Sequence, residues 1–208
     1  MSPGMRVCGG IVCGGRSSRM GQPKAWLPIG NTTMLAHITQ IVGQIVRPVF
    51  VAAAPAMPLP ALPEFVNIIY DRAEGRGPLN GLYEIMCAIG NQADAVYLSS
   101  CDVPFLNPRF IERVIASLGD YELCVPIAQS QKHPLAAVYR LSLLPAIEHQ
   151  LGTGNARLSA LTESGKARLL PEEAFADIDP ELQSLRNLNS PEDYDRAMLQ
   201  LARNPGSE

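Results

Sequence analysis

The chain has 208 residues, a net charge of −3, 47% hydrophobic residues and 18% charged residues. That is long enough for a sizeable core in a single domain spanning residues 1–208, too apolar for disorder, and without the global positive field that binding a nucleic-acid duplex demands. Gly 17 and Pro 18 exceed the usual ~12% for the pair, which argues against a helical bundle and for many shaped loops.

Short β-branched runs alternate with helical periodicity, so an α/β fold is predicted. The first strand covers residues 6–13. A helix follows over 32–46, with Asn31 or Thr32 as its N-cap and apolar residues at Met34, Leu35, Ile38, Ile41, Val42 and Ile45. Strands at 48–53 and 65–70 flank the segment APAMPLPALPE at residues 54–64. Its four prolines forbid a helix interior and a central strand, leaving a surface loop.

Next come a helix over 79–89, a buried strand over 95–100, a helix over 108–118 with Pro108 in its first turn, and a strand over 122–127. Beyond this point the pattern loosens. A strand at 133–138, helices near 143–151 and 156–164, and a short strand at 168–170 are expected. Ser190-Pro191-Glu192-Asp193 supplies an N-cap, a Pro at the first helical position and an acid at the third. A last helix over about 191–201 follows from it.

The five cysteines, Cys8, Cys13, Cys87, Cys101 and Cys124, form no CxxC pair and have no metal-like spacing with the three histidines. Free thiols in a reducing cytoplasm are expected. The segment MSPGMRVCGGIVCGG lacks the unbroken apolar core of a signal peptide. No stretch reaches the ~18–20 apolar residues of a membrane helix. Neither a membrane nor a nucleic acid is an expected partner.

Three loops carry the chemistry. Immediately after the first strand stands Gly14-Gly15-Arg16-Ser17-Ser18-Arg19-Met20-Gly21-Gln22-Pro23-Lys24. Glycines let backbone amides approach an anion, serines add donors, and Arg19 and Lys24 add charge. The loop suits a polyphosphate, or is an ordinary surface loop. Its spacing is neither a Walker loop nor a dinucleotide fingerprint. After the third strand, Asp71 leads through Gly75-Arg76-Gly77-Pro78-Leu79-Asn80-Gly81 to a helix N-terminus, which suits an anion or a nucleotide sugar, or merely starts the helix. After the most apolar strand stands Ser99-Ser100-Cys101-Asp102-Val103-Pro104, where ligands of open α/β sheets usually sit. Asp102 there fits a Mg²⁺ carboxylate or a turn former.

In this order the loops resemble the NTP-transferase family, and within it the molybdenum cofactor guanylyltransferases. The segments that carry the likeness are IVCGGRSSRMGQPKAWLP, Asp71 followed by GPLNGL, CDVPFL, His133-Pro134 followed by AAVYR, and RNLNSPEDY. It spans nearly the whole chain and is poorest at 54–64 and 141–185. It departs at Cys13, where the family commonly has Ala, and at Ala52 and Ala53, where the second strand commonly carries Asn. Gly14-Gly15 and Gly77-Pro78-Leu79 accompany guanine in the family, whereas its cytidylyl branch tends toward Ala-Gly.

The resemblance implies a Rossmann-like, three-layer nucleotidyltransferase fold with a mostly parallel central sheet. It implies Mg²⁺-dependent transfer of GMP from GTP to the terminal phosphate of molybdopterin or molybdenum-molybdopterin, with a cofactor carrier or an apo-molybdoenzyme as the protein partner. Lys24 and Arg19 would hold the triphosphate and Asp102 the metal. Val12, Cys13, Gly14, Gly15, Asp71, Gly77, Pro78, Leu79 and Gly81 would line the nucleotide. His133, Arg157, Asn187 and Asn189 are candidates for the acceptor.

Each of those last four has a plainer reading: a strand start for His133, a solvated helix residue for Arg157, and turn formers for Asn187 and Asn189. Cys101 reads as a packed thiol rather than a nucleophile. Trp26 and Leu27 read as anchors of the first loop, and His37 and His149 suggest no site. The competing functions are a CTP-dependent enzyme, a GTP-dependent enzyme with another phosphorylated acceptor, and a non-catalytic molybdopterin carrier. A carrier has no need of a metal carboxylate.

Overall fold

Strand β1 (Val7–Cys13) runs through the middle of the molecule with both faces covered. Ile11 and Cys13 enter one hydrophobic cluster, and Cys8 and Val12 enter the other, as the two-residue period of a strand requires. The computed structural model describes residues 4–14, 22–71, 77–163 and 166–203. After β1 come a small hairpin of β2 (Pro28–Ile29) and β3 (Thr32–Thr33), helix α1 (Met34–Ile45), strands β4 (Val49–Ala53) and β5 (Val66–Tyr70), and helix α2 (Gly77–Ile89). Then follow β6 (Ala95–Ser100), α3 (Pro108–Ala116), β7 (Leu123–Ala128), β8 (Gln131–Lys132), β9 (Ala136–Arg140), α4 (Leu144–Gly152), β10 (Ala167–Leu170) and α5 (Pro191–Arg203).

The main sheet has the order β10-β7-β9-β6-β1-β4-β5, with β8 paired to β7. Strands β5, β4, β1 and β6 run parallel, β9 is antiparallel to both neighbours, and β10 is parallel to β7. The sheet is therefore mostly parallel, as expected. Helices α1 and α3 cover one face through Leu35, Ile38, Val42, Phe110 and Val114. Helices α2 and α4 cover the other through Leu82, Ile85, Met86 and Ile147. Each fully buried aliphatic or aromatic side chain contributes about 1.5–3 kcal/mol, and β6 buries all six of its residues.

Close packing explains one glycine of β1. A Cβ on Gly9 would stand 2.5 Å from Val42 Cγ1 and 3.1 Å from Val49 Cγ2, so the bare backbone is what lets α1 lie against the sheet.

Several boundaries differ from the sequence expectation for local reasons. Helix α1 begins at Met34, with Thr33 as its N-cap, because Thr32 and Thr33 pair with Ile29 and Pro28 instead. The strand expected over 133–138 is β9, shifted to Ala136–Arg140, and it is preceded by a β7–β8 hairpin. Gln129 and Ser130 turn that hairpin with φ of 50° and 62°, positive values that neither residue type advertises. The helix expected over 156–164 is a 3-10 helix, Leu158–Glu163.

The proline segment 54–64 is pinned rather than free: Met57, Leu59 and Leu62 pack on the core. The cap of α5 is as expected. Asp193 N donates to Ser190 Oγ at 3.2 Å and Ser190 N donates to Asp193 Oδ2 at 3.0 Å, a reciprocal capping pair. Among the described residues, no helix is long and apolar enough to cross a membrane.

Candidate active site

Three loops leave the carboxyl ends of β1, β6 and β5, the edge where open parallel sheets present ligands. At the end of β1, Gly14 is exposed and a Cβ there would meet nothing within 4 Å. Gly15 and Arg19 lie outside the described residues. The chain returns at a single 3-10 turn, Lys24–Trp26, in which Ala25 is fully buried, and Leu27 after it is buried too. Met34 N donates to Leu27 O at 2.8 Å. Leu27 thus anchors the loop to α1, while Trp26 is 41% exposed and donates through Nε1 to Pro58 O at 2.9 Å. The anchor role expected of both residues falls to Leu27 on the core and to Trp26 on the proline segment.

The anchored turn aims Lys24 at Asp102. Lys24 Nζ donates to Asp102 Oδ2 at 2.6 Å, and Asn187 Nδ2 donates to Asp102 Oδ1 at 2.7 Å and to Ser100 Oγ at 3.2 Å. Leu188 N donates to the Asp102 carbonyl at 2.9 Å. Asp102 is 8% exposed, so its charge is largely taken from water and is compensated by one ammonium and one amide. Three distant segments therefore converge on one carboxylate.

Beneath them sits Cys101. Its thiol is pushed well above the ordinary range, first by a hydrogen bond with Cys13, then by burial and by the charges of Cys13 and Asp102, with Lys24 opposing. A thiol held neutral is a packing group, not a nucleophile.

The second loop presents a different chemistry. Asp71 N donates to Ala53 O at 2.9 Å, which extends the pairing of β4 and β5 by one residue. The Asp71 carboxyl is pushed up by burial and by the charge of Glu84, while the Asn80 side chain pulls it down. Gly77 opens α2 with φ of +73°, a left-handed conformation that glycine adopts without strain. Pro78 follows at the half-buried first turn, and Leu79 is fully buried. A Cβ on Gly81 would lie 3.1 Å from Val12 Cγ1, so Leu79, Gly81 and Val12 join α2 to the sheet.

A family model for the MobA-like NTP transferase domain matches residues 9–169, from β1 to the last turn of sheet at β10. The chain belongs to this family. Among the relatives of this MobA-like NTP transferase, the probable molybdenum cofactor guanylyltransferase of Mycobacterium tuberculosis H37Rv is 35% identical over 189 residues, 88% of this chain and 89% of that one. The protein of the same name from Mycobacterium avium strain 104 is 32% identical over 206 residues, covering 96% and 98%. The crystal structure of molybdopterin-guanine dinucleotide biosynthesis protein A from Archaeoglobus fulgidus superposes with a TM-score of 0.77 over 94% of this chain and 99% of that one, at 17% identity. The last likeness supports the fold. The MobA-like NTP transferase is a nucleotidyltransferase.

The acceptor candidates separate in space. Asn187 joins Lys24 and Asp102. Asn189 instead donates its N–H to Asp193 Oδ2 at 3.2 Å, at the start of α5. His133 donates its N–H to Pro126 O at 2.9 Å, and burial lowers the imidazole's pKa against an opposing backbone contact at Ala128. It shares no hydrogen bond with Lys24, Asp102 or Asn187 among the described residues.

Arg157 is exposed, and its backbone is held by Asn155 Oδ1 at 3.2 Å and by Gln150 Nε2 at 2.8 Å. The Ala156 carbonyl lies 3.8 Å from where a Cβ of Gly77 would stand, so this arginine's segment abuts the start of α2. Sequence reading missed Ser100 and Asn80. The first had no signal beyond its place beside Asp102; the second stood inside the Gly-Pro-Leu motif, as the variable residue in it.

Proposed function

We propose that this nucleotidyltransferase transfers GMP from GTP to the terminal phosphate of molybdopterin, releasing pyrophosphate and forming the guanine dinucleotide cofactor. The observation that carries the reading is the Lys24–Asp102–Asn187 cluster at the carboxyl edge of β1 and β6, in a chain 35% identical to a relative named molybdenum cofactor guanylyltransferase. Such a reaction needs a phosphate oxygen held in line with the α-phosphorus and needs charge neutralised around it; it needs no covalent nucleophile. The Lys24 ammonium is suited to the triphosphate, with Arg19 as its companion from the glycine-rich loop. Gly14 leaves open space for the phosphates.

Mg²⁺ fits the donor set. No three His, Cys, Asp or Glu side chains gather into a metal cage among the described residues, and Mg²⁺ does not require one, since one or two carboxylates plus phosphate oxygens suffice. Asp102 is the carboxylate that would hold the ion, and Asn187 fixes the orientation of Asp102. When bound, the ion supplies neutralisation of phosphate charge. The five cysteines are all free, which suits the reducing cytoplasm we assign to the protein, with a cofactor carrier or an apo-molybdoenzyme receiving the product.

Isotope placement tests the reading. With GTP labelled at the α-phosphorus, the label should move to the pterin product; with GTP labelled at the γ-phosphorus, it should leave as pyrophosphate. Label passing from the γ-position to molybdopterin would make the enzyme a kinase, and no transfer from either would leave a carrier.

A further inference from the structure

Two neighbouring polar atoms at the start of α2 have no use in the fold. Asp71 Oδ1 and Asn80 Nδ2 are both buried and both without a hydrogen-bond partner. The Asn80 carboxamide lies close enough to the Asp71 carboxyl to lower its pKa, but neither Asp71 Oδ1 nor Asn80 Nδ2 has a partner in good hydrogen-bond geometry. Asn80 is 3% exposed and lies within the first turn of α2, packed between Leu79 and Gly81.

Nothing local asks for asparagine there. It is a poorer helix former than alanine, and leaving a buried amide unpaired is unfavourable. Directly below, Ala52 of β4 contacts α2 at Gly81, 3.5 Å from where its Cβ would stand, so the strand under this turn offers no polar side chain of its own. Asp71 as a whole is only half-buried and follows the last residue of β5 at the carboxyl edge of the sheet.

A carboxylate able to accept two donors, beside an amide donor, is matched in full by the guanine edge. Guanine presents two donors, N1–H and the 2-amino group, next to one acceptor, O6. Cytosine and adenine offer a single amino donor beside a ring-nitrogen acceptor, so each lacks guanine's second donor and leaves one carboxylate oxygen unpaired. We propose that Asn80 is a specificity-determining residue, donating through Nδ2 to guanine O6 while Asp71 accepts from the base's N–H groups. This deepens the GTP reading given above and rests on it.

The test compares equilibrium binding of GTP, ITP, 6-thio-GTP and CTP to the parent and to Asn80→Ala. ITP keeps O6 and loses the 2-amino group, whereas 6-thio-GTP keeps both donors and replaces O6 by a weak acceptor. Asn80→Ala should lose about tenfold in affinity for GTP and for ITP alike, change little for 6-thio-GTP and CTP, and melt no lower than the parent. Already in the parent, 6-thio-GTP should bind more weakly than GTP, a comparison that needs no variant.

Equal losses for all four nucleotides, or a fall in melting temperature with no change in base preference, would make Asn80 structural and overturn the proposal. So would a parent that binds GTP and 6-thio-GTP equally. A parent that prefers CTP over GTP overturns the GTP reading itself, whereas a GTP-preferring parent indifferent to Asn80→Ala overturns only the role of Asn80.

Discussion

The Lys24 ammonium donates to Asp102 Oδ2 at 2.6 Å across a sequence separation of 78 residues. Their side chains are 20% and 11% exposed, so each offsets a charge that the other has drawn out of water. GTP and its metal ion would offer both groups new partners: phosphate oxygens for Lys24 and a cation for Asp102.

Lys24→Ala should therefore weaken GTP more than GMP. A charge-assisted contact contributes about 1.5–3 kcal/mol, which is about tenfold or more in affinity for the triphosphate. The same substitution removes a cation that competes for Asp102, so Mg²⁺ binding without nucleotide should tighten. Calorimetric titration with GTP, GMP and Mg²⁺ checks both signs. Equal losses for GTP and GMP would place Lys24 away from the β- and γ-phosphates.

Asp102→Asn should lose most turnover while keeping the fold. The neutral side chain can still accept from Asn187, and Lys24 is exposed enough to reach water, so the stability loss should stay near ~1–2 kcal/mol, below the 3–5 kcal/mol of breaking a fully buried pair. Thermal melts paired with pyrophosphate release decide it. Near-native turnover in Mg²⁺ at matched stability would remove Asp102 from the metal site.

Much of this was legible in the sequence, for identifiable reasons. Strands β1, β4 and β6 are buried on both faces, so they read as short apolar runs, interrupted by Gly9-Gly10 in β1 and ended by Ser99-Ser100 in β6. Helix α5 carries its start signal in Ser190 and Asp193, three residues apart. What failed was set by tertiary contact: Thr32 and Thr33 left the helix for a hairpin with Pro28 and Ile29, and the turn at Gln129 and Ser130 has no glycine to reveal it. In the site, Lys24 and Asp102 were legible singly from their loops. Their contact with each other, and with Asn187, is a property of the folded sheet edge that no local pattern records.

Two glycines of the same strand and loop should respond oppositely to alanine. Gly9→Ala forces a methyl to 2.5 Å from Val42, and such overpacking costs about 1–3 kcal/mol, read as a lower melting temperature. Gly14→Ala meets nothing within 4 Å and should leave the melt unchanged while weakening GTP binding. A large stability loss in the second variant would give Gly14 a structural role.

Asp71 provides a pH signature. Its folded pKa is raised from 3.8, first by burial and then by Glu84. The folded state thus holds this proton more tightly than the unfolded chain, and the stability contributed by protonation is fully present below the unfolded value and is lost as pH rises through the folded one. Asp71→Asn should be more stable than the parent at neutral pH, with the advantage shrinking as pH falls toward 3.8. Differential melts from pH 3.5 to 8 check this, and a pH-independent difference would mean that the carboxylate pays no burial penalty.

The central claim is guanylyl transfer to molybdopterin, and it is tested most directly by the specificity constants for pyrophosphate release with GTP, CTP, ATP and UTP, each in the presence of molybdopterin and Mg²⁺. GTP is expected to lead, with discrimination reaching up to ~10⁴-fold where a wrong base leaves polar groups unpaired. A specificity constant for CTP equal to or above that for GTP would contradict it.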